Sequence, residues 1–431
     1  MVGPSSGAQM SRFRTSLKKI FSSVRSVWLA LGISLLLLLI AELIASAVLC
    51  VMNPQSVENE VSVLPVDRDT FRETAWLDDY CLEFQKAKRV RWEPYVYWRK
   101  KPFEGRYIHI DEKGMRVTPQ PLKRVDKDHR SIKIFIFGGS TLWGTGSRDD
   151  HTIPALLTQK LHAQGISSSV TNFGETGYVN TQEVITLFLE LQKGNKPDIV
   201  IFYDGANDTF SAYQNHRAGI PINEINRIQE FNLTQPEKTG RLTSLAVKNR
   251  LAKMSLVRLF RAMIGSSTWR RVIRPMSSQL SSSIPIEEDR ILAKEVSRVF
   301  FSNLEIVMAL GEHYRFRTFF YWQPTVFEKE TLSDHEKSAR GAMEDVRPFF
   351  QMTNSVIREQ IREKGDLLPV WDISRIFFDI KRTLFIDWCH VSEEGNDRIA
   401  DRMAGDIVRE IKENPEKMCH NREKYLTERQ E

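Results

Sequence analysis

From Ile132 onward, short apolar runs alternate with stretches that carry apolar residues at helical spacing. Between the second and third runs, TQEVITLFLELQK places Val184, Leu187, Phe188 and Leu191 on one face of a helix. Short apolar strands joined by such helices specify a parallel sheet covered by helices on both faces. The sequence therefore predicts an α/β domain over residues 131–412. The predicted strands are IKIFIF (Ile132 to Phe137), SVTNF (Ser169 to Phe173), DIVIFY (Asp198 to Tyr203), RTFFYW (Arg317 to Trp322) and LLPVW (Leu367 to Trp371).

An apolar segment, Val27 to Met52, precedes this domain and is long enough to cross a bilayer, with Glu42 as its only charge. Several basic residues and no acidic one stand ahead of it, whereas the first basic residue after it is Arg68. The positive-inside rule then predicts a cytoplasmic tail over residues 1–26, a transmembrane signal anchor over 27–52 and an extracytoplasmic, periplasmic remainder. A cleaved signal peptide ending at Ala45 to Ala47 is the alternative, and it also exports the domain.

Composition excludes several classes of protein. Hydrophobic residues make up 41% of the 431 residues and charged residues 27%, values of a globular chain. The net charge of +6 arises from 61 basic and 55 acidic residues, which is too even a balance to predict nucleic-acid binding. The four cysteines show no metal-ligand spacing, so no metal is expected. An exported domain permits one disulfide among Cys81, Cys389 and Cys419.

Three segments flank or interrupt the predicted domain. Residues 53–130 contain the aromatic and basic run RWEPYVYWRKKPFEGRYIHIDEKGMRVT, which predicts a strand-rich extension. Interleaved Arg, Trp and Tyr can alternatively bind sugars or anions. Residues 216–289 form a basic helical insertion, for which a lid, a surface for anionic membrane, a groove for acidic polysaccharide and a merely solvated face all stay open. Residues 413–431 form a polar tail.

The first strand leads into Gly138-Gly139-Ser140. Ligands collect at the carboxyl ends of strands in open α/β sheets, and glycines let the backbone turn tightly there. The stretch GGSTLWGTGS lacks the GK[ST] signature, which disfavours a phosphate-binding loop. Ser140 is therefore a candidate nucleophile.

A serine nucleophile needs a base, and His390 has the best pattern of the nine histidines. Asp387 stands three residues before it in DWCH, so that one tight loop supplies both the imidazole and a carboxylate to orient it. His151 is a weaker candidate because Thr152 and Pro154 mark a helix start there.

Two further loops offer donors for an oxyanion. They are Gly177 in NFGETGY, through its backbone N–H, and Asn207 in YDGANDT, through its amide. Asp204 and Asp208 flank Asn207 and are predicted to fix its loop. Gln323 and Pro324, after the fourth strand, are predicted to border the pocket.

These four blocks, in this order, resemble those of the SGNH, or GDSL-type, hydrolases: FGGST, NFGETG, GAND and DWCH. The resemblance covers about Ile132 to Ile411. It implies a three-layer α/β/α flavodoxin-like domain, a Ser140–His390–Asp387 triad, and an oxyanion hole formed by the N–H groups of Ser140 and Gly177 and the Asn207 amide, with no metal or dissociable cofactor. One departure is that Gly139 stands where the family usually has aspartate.

The function expected from these features is that of a membrane-anchored extracytoplasmic serine esterase that removes O-acyl groups, such as acetate, from cell-envelope or exported carbohydrate. A lipid esterase and a sugar O-acyltransferase are the enzymatic alternatives, because an acyl-enzyme can be intercepted by a sugar hydroxyl. A non-catalytic binding or assembly subunit of a polysaccharide pathway is the alternative from another class. The membrane is the expected partner, and the sequence carries no signal for an oligomeric state.

Overall fold

Five parallel strands form the central sheet: β5 (Ile132–Gly138), β6 (Ser168–Asn172), β7 (Ile199–Asp204), β8 (Arg317–Trp322) and β9 (Val370–Asp372). Their order is β6-β5-β7-β8-β9, and every neighbouring pair is parallel. This is the 2-1-3-4-5 order of flavodoxin-like sheets, in which the switch point lies between the first and third strands. The ends of β5 and β7 therefore meet where a ligand is expected.

The structure is a computed structural model that describes residues 6–52, 70, 75–120, 131–233, 286–364 and 368–413. The chain divides into two units, residues 1–60 with 230–282 and residues 61–229 with 283–431. In the first unit, helix α1 (Ser6–Met52) contains the stretch Val24–Ser46, whose 23 residues have a mean hydropathy of 2.6. By length and composition this stretch can cross a membrane.

Helices cover both faces of the sheet in the second unit. On one face, Ile134 and Ile136 of β5 pack against α4 (Ile153–Ala163) and α11 (Glu393–Glu413). On the other face, Phe135 and Phe137 lie in a core shared with three helices. Those helices are α5 (Asn180–Gln192), α8 (Ile286–Tyr314) and α10 (Arg347–Lys364). The alternation of β5 side chains between two apolar layers explains why its sequence is apolar throughout. The predicted three-layer α/β/α fold is confirmed.

Shorter helices connect the strands of this unit. They are α3 (Ser140–Trp143), α6 (Ala206–Asn215), α7 (Glu224–Leu233) and α9 (Asp334–Gly341).

The segment before the sheet contains helix α2 (Leu77–Ala87) and two antiparallel hairpins. The first hairpin joins β1 (Val90–Glu93) to β2 (Tyr97–Lys100), and the second joins β3 (Phe103–Glu104) to β4 (His109–Ile110). Helix α2 was not predicted from the sequence. Its buried residues Leu77, Tyr80 and Phe84 pack with Trp143 and Ile386 of the sheet domain.

Several sequence predictions need adjustment. The last strand spans Val370–Asp372 and not Leu367 to Trp371. The predicted apolar face of α5 is only partly right, since Leu187 and Leu191 are buried but Phe188 is 54% exposed. The basic residues of the insertion, Lys238 to Arg274, lie outside the described residues.

Candidate active site

Ser140 is the first residue of α3, directly after β5. The short helix ends at Gly144, whose φ of +98° is the left-handed conformation that glycine adopts without strain. Gly138 also has to be glycine, because a Cβ there would lie 2.8 Å from the Tyr203 carbonyl oxygen of the neighbouring strand. Gly138 allows the close strand packing just before the turn and Gly144 ends the short helix after it, and Ser140 lies between them at 7% exposure.

His390 approaches Ser140 from the other end of the sequence. The distance from His390 Nε2 to Ser140 Oγ is 2.7 Å, and that from His390 Nδ1 to Asp387 Oδ2 is 2.6 Å. The other Asp387 oxygen accepts hydrogen bonds from the backbone N–H groups of Cys389 and His390, at 2.9 and 2.8 Å. Burial raises the pKa of the Asp387 carboxyl, but the His390 imidazole and these hydrogen bonds outweigh it, so that the pKa lies below its usual value.

Buried polar groups fix the loop that carries Asp387 and His390. Glu336 of α9 accepts hydrogen bonds from the backbone N–H groups of Leu384 and Phe385, at 3.0 and 3.2 Å, and pairs with the fully buried Lys329. His335 Nε2 lies 2.7 Å from the Ile386 carbonyl oxygen. The chain just before Asp387 is thereby held from one side, which limits the positions that the carboxylate can take.

The two oxyanion candidates lie in loops linked by a hydrogen bond. Asn207 Nδ2 donates to the Tyr178 carbonyl oxygen at 2.7 Å, and Gly177, with φ of +77°, forms the turn just before Tyr178. Asn207 also lies directly beside Gly139, since a Cβ at position 139 would overlap the Asn207 amide nitrogen. The structure therefore brings Asn207 next to the residue that precedes Ser140.

A buried cluster of three acids lies beneath the Asn207 turn: Glu183, Asp204 and Asp208. Asp208 accepts hydrogen bonds from the backbone N–H groups of Asn180 and Gly205, and Asp204 accepts one from the Asn180 side chain at 2.8 Å. Asp204 and Asp208 thus join the start of α5 to the Asn207 turn, in the loop-fixing role predicted for them.

These acids do not all carry a charge at neutral pH. Burial, with the neighbouring Asp208, raises the pKa of Asp204 to about 8, and burial raises the pKa of Asp208 to about 6. The pKa of Glu183 is raised well above its usual value, first by burial and then by Asp204. Among the described residues, no N–H or O–H group donates a hydrogen bond to either Glu183 oxygen. The Glu183 carboxyl faces that of Asp204. The two acids can therefore share a hydrogen bond only while one of them keeps its proton.

The Glu183–Asp204 pair makes the free energy of unfolding depend on pH. Unfolded Asp loses its proton near pH 4, whereas folded Asp204 keeps it to about pH 8. Between these values the unfolded state binds fewer protons, so the free energy of unfolding falls as pH rises, and the loss is complete above about pH 8. We expect Asp204→Asn to flatten this fall, since an amide can accept from Asn180 and donate to Glu183 at any pH.

Thermal unfolding midpoints from pH 5 to 9 measure the effect of Asp204→Asn, with the exposed Asp379→Asn as control. An unchanged pH slope in Asp204→Asn would contradict the shared proton.

The β1–β2 hairpin holds residues 175–178, which are called the oxyanion loop below because they include the candidate donor Gly177, and the sequence did not single out the residues of this hairpin. Trp98 Nε1 donates to the Thr176 carbonyl oxygen at 2.9 Å, and the backbone N–H of Lys100 donates to the buried Glu175 at 3.0 Å. The Tyr178 hydroxyl donates to the Trp98 carbonyl oxygen. The sequence alone gave little indication of this, because Arg99 and Lys100 are adjacent basic residues in a short strand and yet both are buried.

Arg116 fixes the segment that follows α3. Its fully buried guanidinium donates to the carbonyl oxygens of Gly144 and Ser147, at 2.5 and 2.6 Å, and pairs with Asp149 at 2.8 Å. Tyr80 of α2 accepts a hydrogen bond from the Gly146 N–H at 2.9 Å. The segment before the sheet therefore supports both sides of the Ser140 turn, which its separate position in the sequence did not indicate.

The remaining predicted residues have structural contacts. His151 Nδ1 lies 2.7 Å from Asp150 rather than near Ser140, and Thr152 caps α4 as predicted. Gln323 accepts a hydrogen bond from the Thr141 hydroxyl at 3.2 Å, beside Ser140. Cys81 and Cys389 are free thiols, and Cys419 lies outside the described residues.

One group in the described part of the chain combines metal-ligand side chains: Asp387, Cys389 and His390, whose ligand atoms lie within 4.8 Å of one another. Burial and the Asp387 carboxylate raise the pKa of the Cys389 thiol well above its usual value. Both ring nitrogens of His390 already have partners, Nδ1 with Asp387 and Nε2 with Ser140, so this group fits a hydrogen-bonded Asp–His pair better than an ion.

A cavity of about 600 Å³ lies beside the first turn of α11. Its lining is mainly charged and includes Arg148, His151 and Glu393, but none of Ser140, Asp387 and His390. Arg148 and Glu393 are paired with each other at 2.7 Å. We therefore place the chemistry at the Ser140 turn and not in this cavity.

The arrangement at Ser140 can transfer a proton in two steps. A histidine that accepts from a serine hydroxyl and donates to a carboxylate can remove the serine proton during attack and return it to a leaving group. Amide and backbone N–H groups beside the serine can bind the negative oxygen that forms.

Comparisons with known proteins show the family of the chain. A sequence model described as GDSL-like lipase/acylhydrolase matches residues 134–403. No curated protein matches the chain at a significant level.

Solved structures show a distant likeness that carries no argument about substrate. An acetyl xylan esterase, AlAXEase, is 13% identical, with 64% of this chain and 100% of that chain covered and a TM-score of 0.34. A member of the lipolytic G-D-S-L family from Veillonella parvula is 11% identical, with 63% and 96% covered and a TM-score of 0.33. A lipase from a goat rumen metagenome is 12% identical, with 64% and 98% covered and a TM-score of 0.34. Because the family model spans more than half of the sequence, the chain belongs to the GDSL-like lipase/acylhydrolase family and is a serine hydrolase that acts on ester bonds.

Proposed function

We propose that this protein is a membrane-anchored extracytoplasmic esterase that removes O-acyl groups, acetate first among them, from cell-envelope or exported carbohydrate. The observation that carries the esterase mechanism is the hydrogen-bonded chain from Ser140 through His390 to Asp387, with steps of 2.7 and 2.6 Å. The anchor rests on the apolar stretch Val24–Ser46, with basic residues only on its N-terminal side.

In this mechanism Ser140 Oγ attacks the ester carbonyl carbon while its proton moves to His390 Nε2. Asp387 holds Nδ1–H of the ring and stabilises the imidazolium that forms. The negative oxygen of the tetrahedral intermediate binds the N–H groups of Ser140 and Gly177 and the Asn207 amide. As the carbon–oxygen bond to the alcohol breaks, His390 returns the proton to the sugar hydroxyl. Water then attacks the acyl-serine by the same steps in reverse.

The carbohydrate assignment rests on two features of the chain. Export on a membrane tether places the enzyme beside envelope polymers, and the β1–β2 hairpin next to the oxyanion loop contains three aromatic side chains in its two strands. We propose hydrolysis and not acyl transfer, because water reaches an acyl-serine without a dedicated site, whereas an acceptor sugar would need one.

The test uses the full-length protein in detergent with p-nitrophenyl esters of increasing acyl length and with O-acetylated oligosaccharides, while released acid is followed. We expect acetyl esters to be preferred over long acyl esters. Preference for long acyl chains would indicate a lipid esterase, and sugar-dependent loss of acyl groups without free acid would indicate a transferase. Saturable binding of oligosaccharide with no turnover of any ester would favour the binding subunit.

The glycine that departs from the family pattern gives a further prediction. A side chain at position 139 would displace the Asn207 amide from its place beside Gly139 and from its bond to Tyr178. We expect Gly139→Asp, although it restores the usual family residue, to lower kcat about 100-fold, since loss of one oxyanion donor typically costs about 10²–10³.

Gly139→Ala should lower kcat similarly if the cause is steric. Gly341→Ala is the control, because a Cβ at that position meets no atom within 4 Å. Full activity of Gly139→Asp would show that the Asn207 position is not needed for turnover.

A further inference from the structure

The β1–β2 hairpin lies outside the residues that match the family, 134–403, and presents aromatic rings to solvent. Trp92 is 68% exposed and Tyr95, in the hairpin turn, is 75% exposed. The rings of Trp92 and Tyr97 stack at 5.5 Å with an angle of 22° between their planes, and the Trp98 ring follows at 6.4 Å from that of Tyr97. We call Trp92, Tyr97 and Trp98 the aromatic row. Trp92 is exposed and Tyr97 and Trp98 are partly exposed, and adjoining aromatic rings that reach the surface usually mark a binding surface.

The aromatic row ends at the oxyanion loop. Trp98 donates to the Thr176 carbonyl oxygen and packs edge-on against Tyr178, with ring centroids 5.4 Å apart. A Cβ on Gly177 would lie 3.6 Å from the Trp98 ring, in ordinary contact distance. One end of the row is therefore beside a proposed oxyanion donor, and the other end is at the surface.

The row is held in place before any ligand arrives. Tyr95 and Tyr97 have φ values of 66° and 77°, a conformation that costs about 1 kcal/mol or more for residues other than glycine. The Tyr97 hydroxyl donates to Glu224 at 3.1 Å. The Arg227 guanidinium lies 5.1 Å from the Tyr97 ring centroid and 4.3 Å from that of Trp98. Such strain and fixation at an exposed site indicate a preorganised surface.

The chemistry of the row favours a sugar over a lipid. Flat rings stack on the apolar C–H faces of pyranose rings, while nearby charged groups can bond the hydroxyls. Arg91 and Glu93, 3.8 Å apart, flank Trp92 in β1, and such charges oppose insertion into an acyl-chain layer. We propose that the aromatic row is the glycan-binding platform of this enzyme, which holds sugar rings of the substrate so that an O-acyl group reaches Ser140. This inference rests on the proposed function and extends it to a sugar subsite.

The test compares Trp92→Ala with wild type in the full-length protein. The probes are O-acetylated xylo-oligosaccharides and O-acetylated gluco-oligosaccharides of three to six sugars, and p-nitrophenyl acetate. We expect KM for the better oligosaccharide to rise about tenfold, as the loss of one ring contact of about 1.4 kcal/mol predicts, while kinetics on p-nitrophenyl acetate stay within about twofold. Trp92→Phe should restore most of the affinity.

Phe188→Ala is the matched control, because Phe188 is an exposed aromatic residue on α5. The proposal would be overturned if Trp92→Ala and wild type had equal KM values for the oligosaccharides. It would also be overturned if Trp92→Ala lowered kcat/KM equally for the oligosaccharides and for p-nitrophenyl acetate. A loss of activity in Trp92→Ala that is confined to p-nitrophenyl palmitate in mixed micelles would overturn it too and would assign the row to lipid binding. A wild-type protein that turns over p-nitrophenyl acetate but neither oligosaccharide would also overturn it. A wild type inactive on every ester would instead refute the proposed esterase itself.

Discussion

Ser140→Ala should lower kcat for p-nitrophenyl acetate by about 10⁶, close to the effect of removing the nucleophile in other serine hydrolases. The reason is that no other hydroxyl in the described structure is bonded to His390, whose Nε2 lies 2.7 Å from Ser140 Oγ. His390→Ala should cost a similar factor. The double variant should be no worse than either single variant, because residues that act in one step are not additive.

The controls are Ser338→Ala, at an exposed position, and His151→Ala, at the histidine bonded to Asp150. Both should keep wild-type turnover. Circular dichroism and thermal midpoints should show that Ser140→Ala is folded. Turnover in folded Ser140→Ala equal to that of wild type would eliminate the proposed mechanism.

Asp387→Asn should lower kcat about 10⁴-fold with little change in the folded structure. Asp387 uses one oxygen to accept from the Cys389 and His390 backbone N–H groups and the other to accept from His390 Nδ1. In the variant, the amide oxygen can keep the backbone bonds while its NH₂ group faces Nδ1. The ring then carries its proton on Nε2, so it can no longer accept the proton of Ser140.

The same substitution has a consequence for acid stability. The pKa of Asp387 is lowered in the folded protein, so its contribution to stability is present above the unfolded value near pH 4 and is lost as pH falls through the folded value. The free energy of unfolding of Asp387→Asn should therefore fall less than that of wild type as the pH drops below 4. Asp379→Asn is the control. If kcat fell only together with the thermal midpoint at neutral pH, Asp387 would be a structural residue and not part of the triad.

Much of the candidate site could be predicted from local patterns in the sequence. The apolar runs predicted five strands, and the polar residues after three elements predicted Ser140, Asn207 and the Asp387–His390 loop. The prediction rests on the fact that a parallel sheet brings the carboxyl ends of its strands to one edge, so strand order and residue type indicate which polar groups lie near one another. The exposed Phe188 shows the limit, since helical spacing does not decide how wide the covered face of a helix is.

The supporting residues were not predictable in the same way. Arg116 and Trp98 lie in a segment that looks like a separate extension, yet both bind the loops around Ser140. Glu183 belongs to the acid cluster below Asn207, although it lies on α5 and the other two acids lie around the Asn207 turn. Each of these contacts joins residues distant in sequence, and no spacing rule relates them.

The sequence by itself determined the α/β class, the apolar helix near the N-terminus and the candidate groups for ester chemistry, because each depends on periodicity or on a short motif. Only the tertiary structure decided that His390 rather than His151 meets Ser140, that the Asn207 amide occupies the space beside Gly139, and that the β1–β2 hairpin supports the oxyanion loop. These depend on how buried side chains pack across elements, where shape and hydrogen-bond partners are set by the whole fold.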